Sequence, residues 1–118
     1  MESVKVHISA PGGITRKFDA ELYENDDVTE IRGEYDIVFD GKVLKVKSRV
    51  EPKYEMTFGE NLSGKVVIST PYGSAETEYF CRGVKFRRDS SRLRFTIVYK
   101  LSGCNYGIYK IDAKLKEK

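Results

Sequence analysis

The stretch RLRFTIVYKL, residues 92–101, places Leu93, Phe95, Ile97, Tyr99 and Leu101 on one parity and Arg92, Arg94, Thr96, Val98 and Lys100 on the other. Successive side chains of a strand point to opposite faces, so this alternation describes a strand with one side in a core and one toward water. The same rule runs outward from it in both directions. Val4, Val6 and Ile8 alternate with Lys5 and His7; Phe18, Ala20 and Leu22 with Lys17, Asp19 and Glu21. Tyr35, Ile37 and Phe39 follow it, as do Leu44, Val46 and Val50, and then Tyr54, Met56 and Phe58. Only residues 20–27 leave room for a helix, because Phe18 and Leu22 also fit a four-residue step.

Turn residues separate these runs: Pro11-Gly12-Gly13, Asn25-Asp26-Asp27, Asp40-Gly41, Glu51-Pro52, Asn61 to Gly64, Pro71 to Gly73, Asp89 to Ser91 and Ser102 to Asn105. They recur at roughly the spacing of consecutive antiparallel strands. Asp40-Gly41 reads as a two-residue hairpin, and Thr70-Pro71-Tyr72-Gly73 as a type I turn with proline at its second position. A flat sheet of this many strands would expose its edges. The expected fold is therefore all-β: a single closed or nearly closed antiparallel up-and-down barrel of about eight strands, formed by residues 1–118 as one domain.

Composition sets the outer limits. The chain has 118 residues, 40% apolar and 33% charged, which is the balance of a globular domain. With no signal-peptide pattern at the N-terminus and no apolar run long enough to span a bilayer, a cytoplasmic location and no membrane partner are expected. Cys81 and Cys104 lack CxxC spacing and read as free thiols. Net charge is +3, yet residues 1–60 carry 9 basic and 13 acidic side chains against 12 and 5 in residues 61–118. Such an imbalance marks either an anionic partner or two halves of one barrel attracting each other.

Register adds detail. A tight turn at RDSS sets Phe86 opposite Leu93 and Val84 opposite Phe95. Continued without a break it would bring Arg82 and Glu78 onto the core face, which a one-sided strand cannot accept. A bulge at Gly83 restores agreement, with Cys81 opposite Ile97 and Tyr79 opposite Tyr99. The outer face then collects Arg82, Lys85, Arg87, Arg92, Arg94 and Lys114 into a candidate stripe for anions or nucleic acid. Two pairings of the last strand stay open: one leaves the stripe intact, and the other sets Asp112 beside Arg94. The plain alternative is a solvated hairpin. Phe80 is the aromatic expected outside, beside Arg82.

No catalytic constellation emerges. His7 is the one histidine and lies on the polar parity, so no metal site is expected, and no cofactor. The serines of KSRV, NLSG and DSSR sit in no nucleophile motif, and Glu76 and Glu78 share a face as carboxylates on exposed strands commonly do. Tyr35, Tyr54, Tyr79, Tyr99 and Tyr109 fall on or near the interior parity, where their hydroxyls need partners or frame a cavity for a small amphipathic ligand.

The TPYG turn at residues 70–73, the basic stretch after it, the long alternating strand at 92–101 and the terminal YGIYKIDAKLKEK together resemble the YwiB-like family of uncharacterised bacterial proteins. RGEYDIVFDGKV resembles an earlier strand of that family, whereas EPKYEMTFGENLSGK departs from it. The resemblance implies a small calycin-type barrel related to lipocalins, and it supplies no catalytic residues. The leading expectation is a non-enzymatic binding barrel holding a small, partly apolar molecule inside. Alternatives are binding of RNA or a phosphorylated ligand by the stripe, and an enzyme using carboxylates or Tyr at the barrel mouth. Thr70, Pro71, Tyr72, Gly73 and Gly83 are assigned to turn and bulge geometry.

Overall fold

A computed structural model describes residues 1–11 and 13–116. Ten strands among the described residues form one antiparallel sheet: β1 (Glu2–Ala10), β2 (Ile14–Glu24), β3 (Thr29–Arg32), β4 (Tyr35–Phe39), β5 (Leu44–Ser48), β6 (Glu55–Phe58), β7 (Leu62–Thr70), β8 (Gly73–Arg88), β9 (Arg92–Leu101) and β10 (Gly107–Leu115). The spatial order is β6-β5-β4-β3-β2-β1-β10-β9-β8-β7, so chain neighbours pair as hairpins except β6 and β7, which stand at the two ends, and β1 pairs with β10 to join the two halves of the chain. No helix among the described residues is long and apolar enough to cross a membrane. The expected all-β barrel stands, with ten strands in place of about eight. The additions are β3, four residues burying only Ile31, and β7, whose Gly64 and exposed Val67 interrupt any readable alternation. Residues 20–24, open to a helical reading, belong to β2. Ser63 and Gly64, expected in a turn, lie inside β7. Of the turn expected at residues 11–13, Gly12 lies outside the described residues.

Three loops share one device and explain a register correction. Asn25, Asp40 and Asp89 each open a four-residue loop and accept from backbone N–H groups two or three residues on: Asn25 Oδ1 from Asp27 and Val28 at 3.0 and 2.8 Å, Asp40 Oδ1 from Lys42 and Val43 at 2.9 and 2.8 Å, and Asp89 Oδ1 from Ser91 at 2.9 Å. These Asx turns give the backbone partners inside the loop, so the chain reverses over four residues instead of two. Asp40-Gly41 is accordingly no two-residue hairpin, since Phe39 pairs with Leu44. At the β8–β9 loop Arg88 pairs with Leu93, which slides every expected partner by two: Phe86 faces Phe95, Val84 faces Ile97, Cys81 faces Tyr99 and Tyr79 faces Leu101. A slide of two preserves faces, so the inside and outside assignments survive. The bulge is present between Cys81 and Gly83, and the unpaired residue is Arg82.

The TPYG hairpin closes as expected around Pro71 and Tyr72, with Thr70 opposite Gly73 and the Thr70 hydroxyl accepting the Tyr72 N–H at 3.2 Å. Gly73 has φ +136°, which L side chains rarely adopt. Tyr72 at the tip is 99% exposed.

Closure between β6 and β7 uses only one backbone bridge. Lys53 and Ser69 exchange N–H···O bonds of 2.9 and 2.8 Å at one end. Farther along, the phenol of Tyr79 does the joining: its oxygen accepts the Thr57 N–H and its hydroxyl donates to the Thr57 carbonyl, both at 2.9 Å. To reach β6 from β8 the ring passes over Gly64, where a Cβ would stand 2.5 Å from the hydroxyl. Glycine at position 64 therefore makes the seam possible. Tyr79→Phe removes both bonds and leaves the Thr57 amide and carbonyl without these partners, so it is expected to cost about 1–3 kcal/mol. Urea unfolding checks this, the midpoint falling while the slope stays constant.

The interior is aromatic. Phe58 lies 5.4 Å from Tyr99 and 6.0 Å from both Tyr79 and Tyr109, while Phe86 stacks on Phe95 at 4.8 Å and touches Phe39 at 5.1 Å, centroid to centroid. Leu93, Phe95 and Ile97 are wholly buried.

Candidate functional site

The outward parity of β8, β9 and β10 forms one continuous surface whose rows follow from strand pairing. Phe80 pairs with Lys100 at one end. Gly83, Val98 and Ile108 form the next row; Lys85, Thr96, Lys110 and Ser9 the third; Arg87, Arg94, Asp112 and His7 the fourth; Arg92, Lys114 and Lys5 the last. Strand pairing brings Lys85, Arg87, Arg92, Arg94 and Lys114 of the expected stripe to this surface, and Arg82, the bulge residue, joins them over Tyr106. It also adds Lys100 and Lys110, which occupy the outward parity of their strands and were readable from it.

The open question about the last strand resolves toward partial neutralisation. Asp112 pairs with Arg94 in the ladder and holds two guanidinium groups, Arg94 at 3.1 Å and Arg92 at 3.2 Å. In the β8–β9 ladder Arg87 lies beside Arg94, a like-charged pair. Arg88 is held by Glu24 of β2 through two hydrogen bonds of 3.0 Å. Among the described residues, Arg82, Lys85, Arg87, Lys100, Lys110 and Lys114 have no carboxylate in ion-pair contact. Two ion pairs, Glu24–Arg88 and Asp19–Lys116, join the acidic half of the chain to the basic half. The basic half thus keeps most of its excess charge for the surface.

Aromatic and apolar groups stand among these cations. Tyr106, just before β10 and 39% exposed, lies under the Arg82 guanidinium at 4.2 Å and the Lys100 ammonium at 5.1 Å. Cation–π contacts of this kind hold long side chains in place at little cost. Phe80 is half-buried at the outer face as expected, and Ile108 is 51% exposed. At the tip of the β8–β9 hairpin, Arg87, Arg88, Asp89, Arg92 and Arg94 line a cleft of about 310 Å³.

The interior tyrosines are packed side chains, and the hydroxyls of Tyr54, Tyr79 and Tyr109 are hydrogen-bonded. Tyr54 and Tyr109 share a hydrogen bond of 3.1 Å, Tyr79 is bound to Thr57, and Tyr35 stacks on Phe18 at 5.6 Å. Tyr99 meets Tyr109 edge-on at 6.2 Å. Burial pushes the phenols of Tyr54, Tyr99 and Tyr109 above the ordinary range, and neighbouring tyrosines reinforce the rise at Tyr109. Burial likewise raises the Cys81 thiol, whereas Cys104 sits exposed in the β9–β10 loop. His7 lies between Lys17 and Asp112 on the outer face. No group of three or more His, Cys, Asp or Glu that could hold a metal occurs among the described residues.

No protein-family model matches the chain, and no curated protein matches it in sequence. Among solved structures, the crystal structure of the ywiB protein from Bacillus subtilis superposes with a TM-score of 0.72, covering 98% of this chain and 89% of that one at 13% identity. The two molecules share a fold. With 98% of the chain covered, the shared fold takes in the stretch at residues 51–65.

Proposed function

We propose that this is a non-enzymatic binding barrel, a cytoplasmic member of the YwiB-like, calycin-type group, which works from its outer surface and holds single-stranded RNA across β8, β9 and β10. One observation carries the reading: six cations, Arg82, Lys85, Arg87, Lys100, Lys110 and Lys114, stand on one outward face with no carboxylate in ion-pair contact among the described residues. Phosphates spaced along a flexible strand match such a surface, and Tyr106 with Phe80 offers rings beside the cations on which bases stack. The aromatic filling of the barrel makes this outer face a better-supported place for a ligand than the interior.

The test is retention on single-stranded RNA as salt is varied. If all six cations meet phosphates, log affinity falls with log salt with a slope of about −4, so binding weakens roughly 300-fold between 50 and 200 mM salt. Lys85→Glu with Arg87→Glu is expected to flatten that slope and weaken binding at least tenfold while leaving the fold intact, both residues being exposed. No retention at low salt would remove the reading.

A further inference from the structure

We propose that the free edge of β8, residues 83–88, receives an extended acidic segment of another protein as an eleventh strand. β8 is sixteen residues long, and β7 covers it only as far as Cys81, which pairs with Leu62. Past that point the Asn61 amide donates to the Arg82 carbonyl at 3.2 Å and the chain turns away. Residues 83–88 then pair with β9 on one side, and no strand among the described residues pairs with them on the other. A strand edge of six residues presents a row of backbone donors and acceptors that another extended chain can complete.

The surroundings of this edge define the occupant. Val84 and Phe86 point inward yet are only half-buried, while their partners Ile97 and Phe95 are wholly buried. The exposed part of both side chains therefore looks toward the missing neighbour. A groove of about 990 Å³ separates the edge from the β4–β5 loop and is lined by Lys42, Val43, Leu62, Arg82, Val84 and Lys85, among others, with Glu60 as its one carboxylate. A second cleft of about 440 Å³ continues past Phe86 toward Phe39 and carries Asp26 and Asp27.

An incoming strand would set every second residue beside Val84 and Phe86 and the intervening ones beside Lys85 and Arg87. That asks for apolar side chains alternating with carboxylates. An acid next to Arg87 would also offset its opposition to Arg94. Asp26 and Asp27 border only the far cleft, so the acids belong near Arg82 and Lys85. A second copy of this chain fits poorly, since two β8 edges laid together would bring Lys85 and Arg87 against their own counterparts. Lysine at an edge is a common defence against such pairing.

The test uses an eight-residue peptide of alternating Glu and Val, blocked at both ends, titrated at low salt into the intact protein. Amide hydrogen exchange within residues 83–88 is expected to slow at least tenfold on binding. N-methylation of every second peptide amide, which leaves charge unchanged, should abolish binding from one edge of the peptide and spare it from the other. Arg82→Glu with Lys85→Glu should weaken it at least tenfold. Equal binding by both methylated peptides, protection at another strand, or no binding at all would overturn the proposal. So would doubling of the protein's mass with exchange protection of residues 83–88 in the absence of peptide, which would make a second copy the occupant.

Discussion

Replacing Phe58 with alanine is expected to destabilise the protein by about 3–5 kcal/mol, the range for deleting a buried aromatic ring. Phe58 is fully buried on β6, the strand held at the seam by the Tyr79 phenol of β8 and, just before it in the chain, by the backbone bridge of Lys53 to Ser69 of β7. Its ring meets Tyr79, Tyr99 and Tyr109, so the cavity left behind would border three tyrosines, two of which, Tyr79 and Tyr109, are held in place by hydrogen bonds that oppose their collapse inward. Losing this contact also loosens the ring of Tyr79, which spans the seam. Domains of this kind hold about 5–15 kcal/mol in total, so the variant would sit near the limit of folding. Urea and thermal unfolding check the expectation, with a midpoint drop on the order of 10–20 °C. A cost below about 1 kcal/mol would mean that the ring does not pack as described.

The second large effect is alkaline. Burial raises the phenols of Tyr54 and Tyr109, which share one hydrogen bond. In the unfolded chain a tyrosine loses its proton near pH 10, whereas these two keep theirs in the folded state. Above pH 10 the unfolded state therefore binds fewer protons, and stability falls as pH rises. The stabilisation is complete below pH 10 and is lost at about 1.4 kcal/mol per pH unit for each tyrosine, so about 3 kcal/mol is gone by pH 11. Phenolate absorbance should show the buried pair ionising in one step with loss of the fold. Replacing both Tyr54 and Tyr109 with phenylalanine removes both ends of their shared bond together, and should flatten the stability profile above pH 10. Smooth titration of every phenol with the fold intact would contradict it.

What was legible in the sequence divides along physical lines. Alternation in β9 declares its buried face outright, because each inward residue is large and apolar and each outward one is polar or β-branched. The same property placed the six stripe residues on the outside. β7 stayed hidden because Gly64 has no side chain to report a face and its real role is to give way to Tyr79. Loop length at Asp40 and Asp89 is hidden in the sequence because an Asx turn and a two-residue hairpin use the same residues, and only the pairing of Phe39 with Leu44 and Arg88 with Leu93 separates them. Lys100 and Lys110 share that outward parity, so the sequence carries them as well. The groove beside β8 was beyond reach, since Lys42 and Lys85 approach each other only when the sheet curls.

Lys116 donates its backbone N–H to the Ser3 carbonyl at 3.0 Å, so β1 and β10 close the longest loop in the molecule. A chain joined between those two residues and cut at Glu60 would cross the sheet in the order of its own sequence, from β7 to β10 and on through β1 to β6. All strand pairings would then be local, and contact order, which slows folding, would drop. The strands left to meet from the two ends of such a chain would be β6 and β7, zipped by the Tyr79 phenol and one backbone bridge.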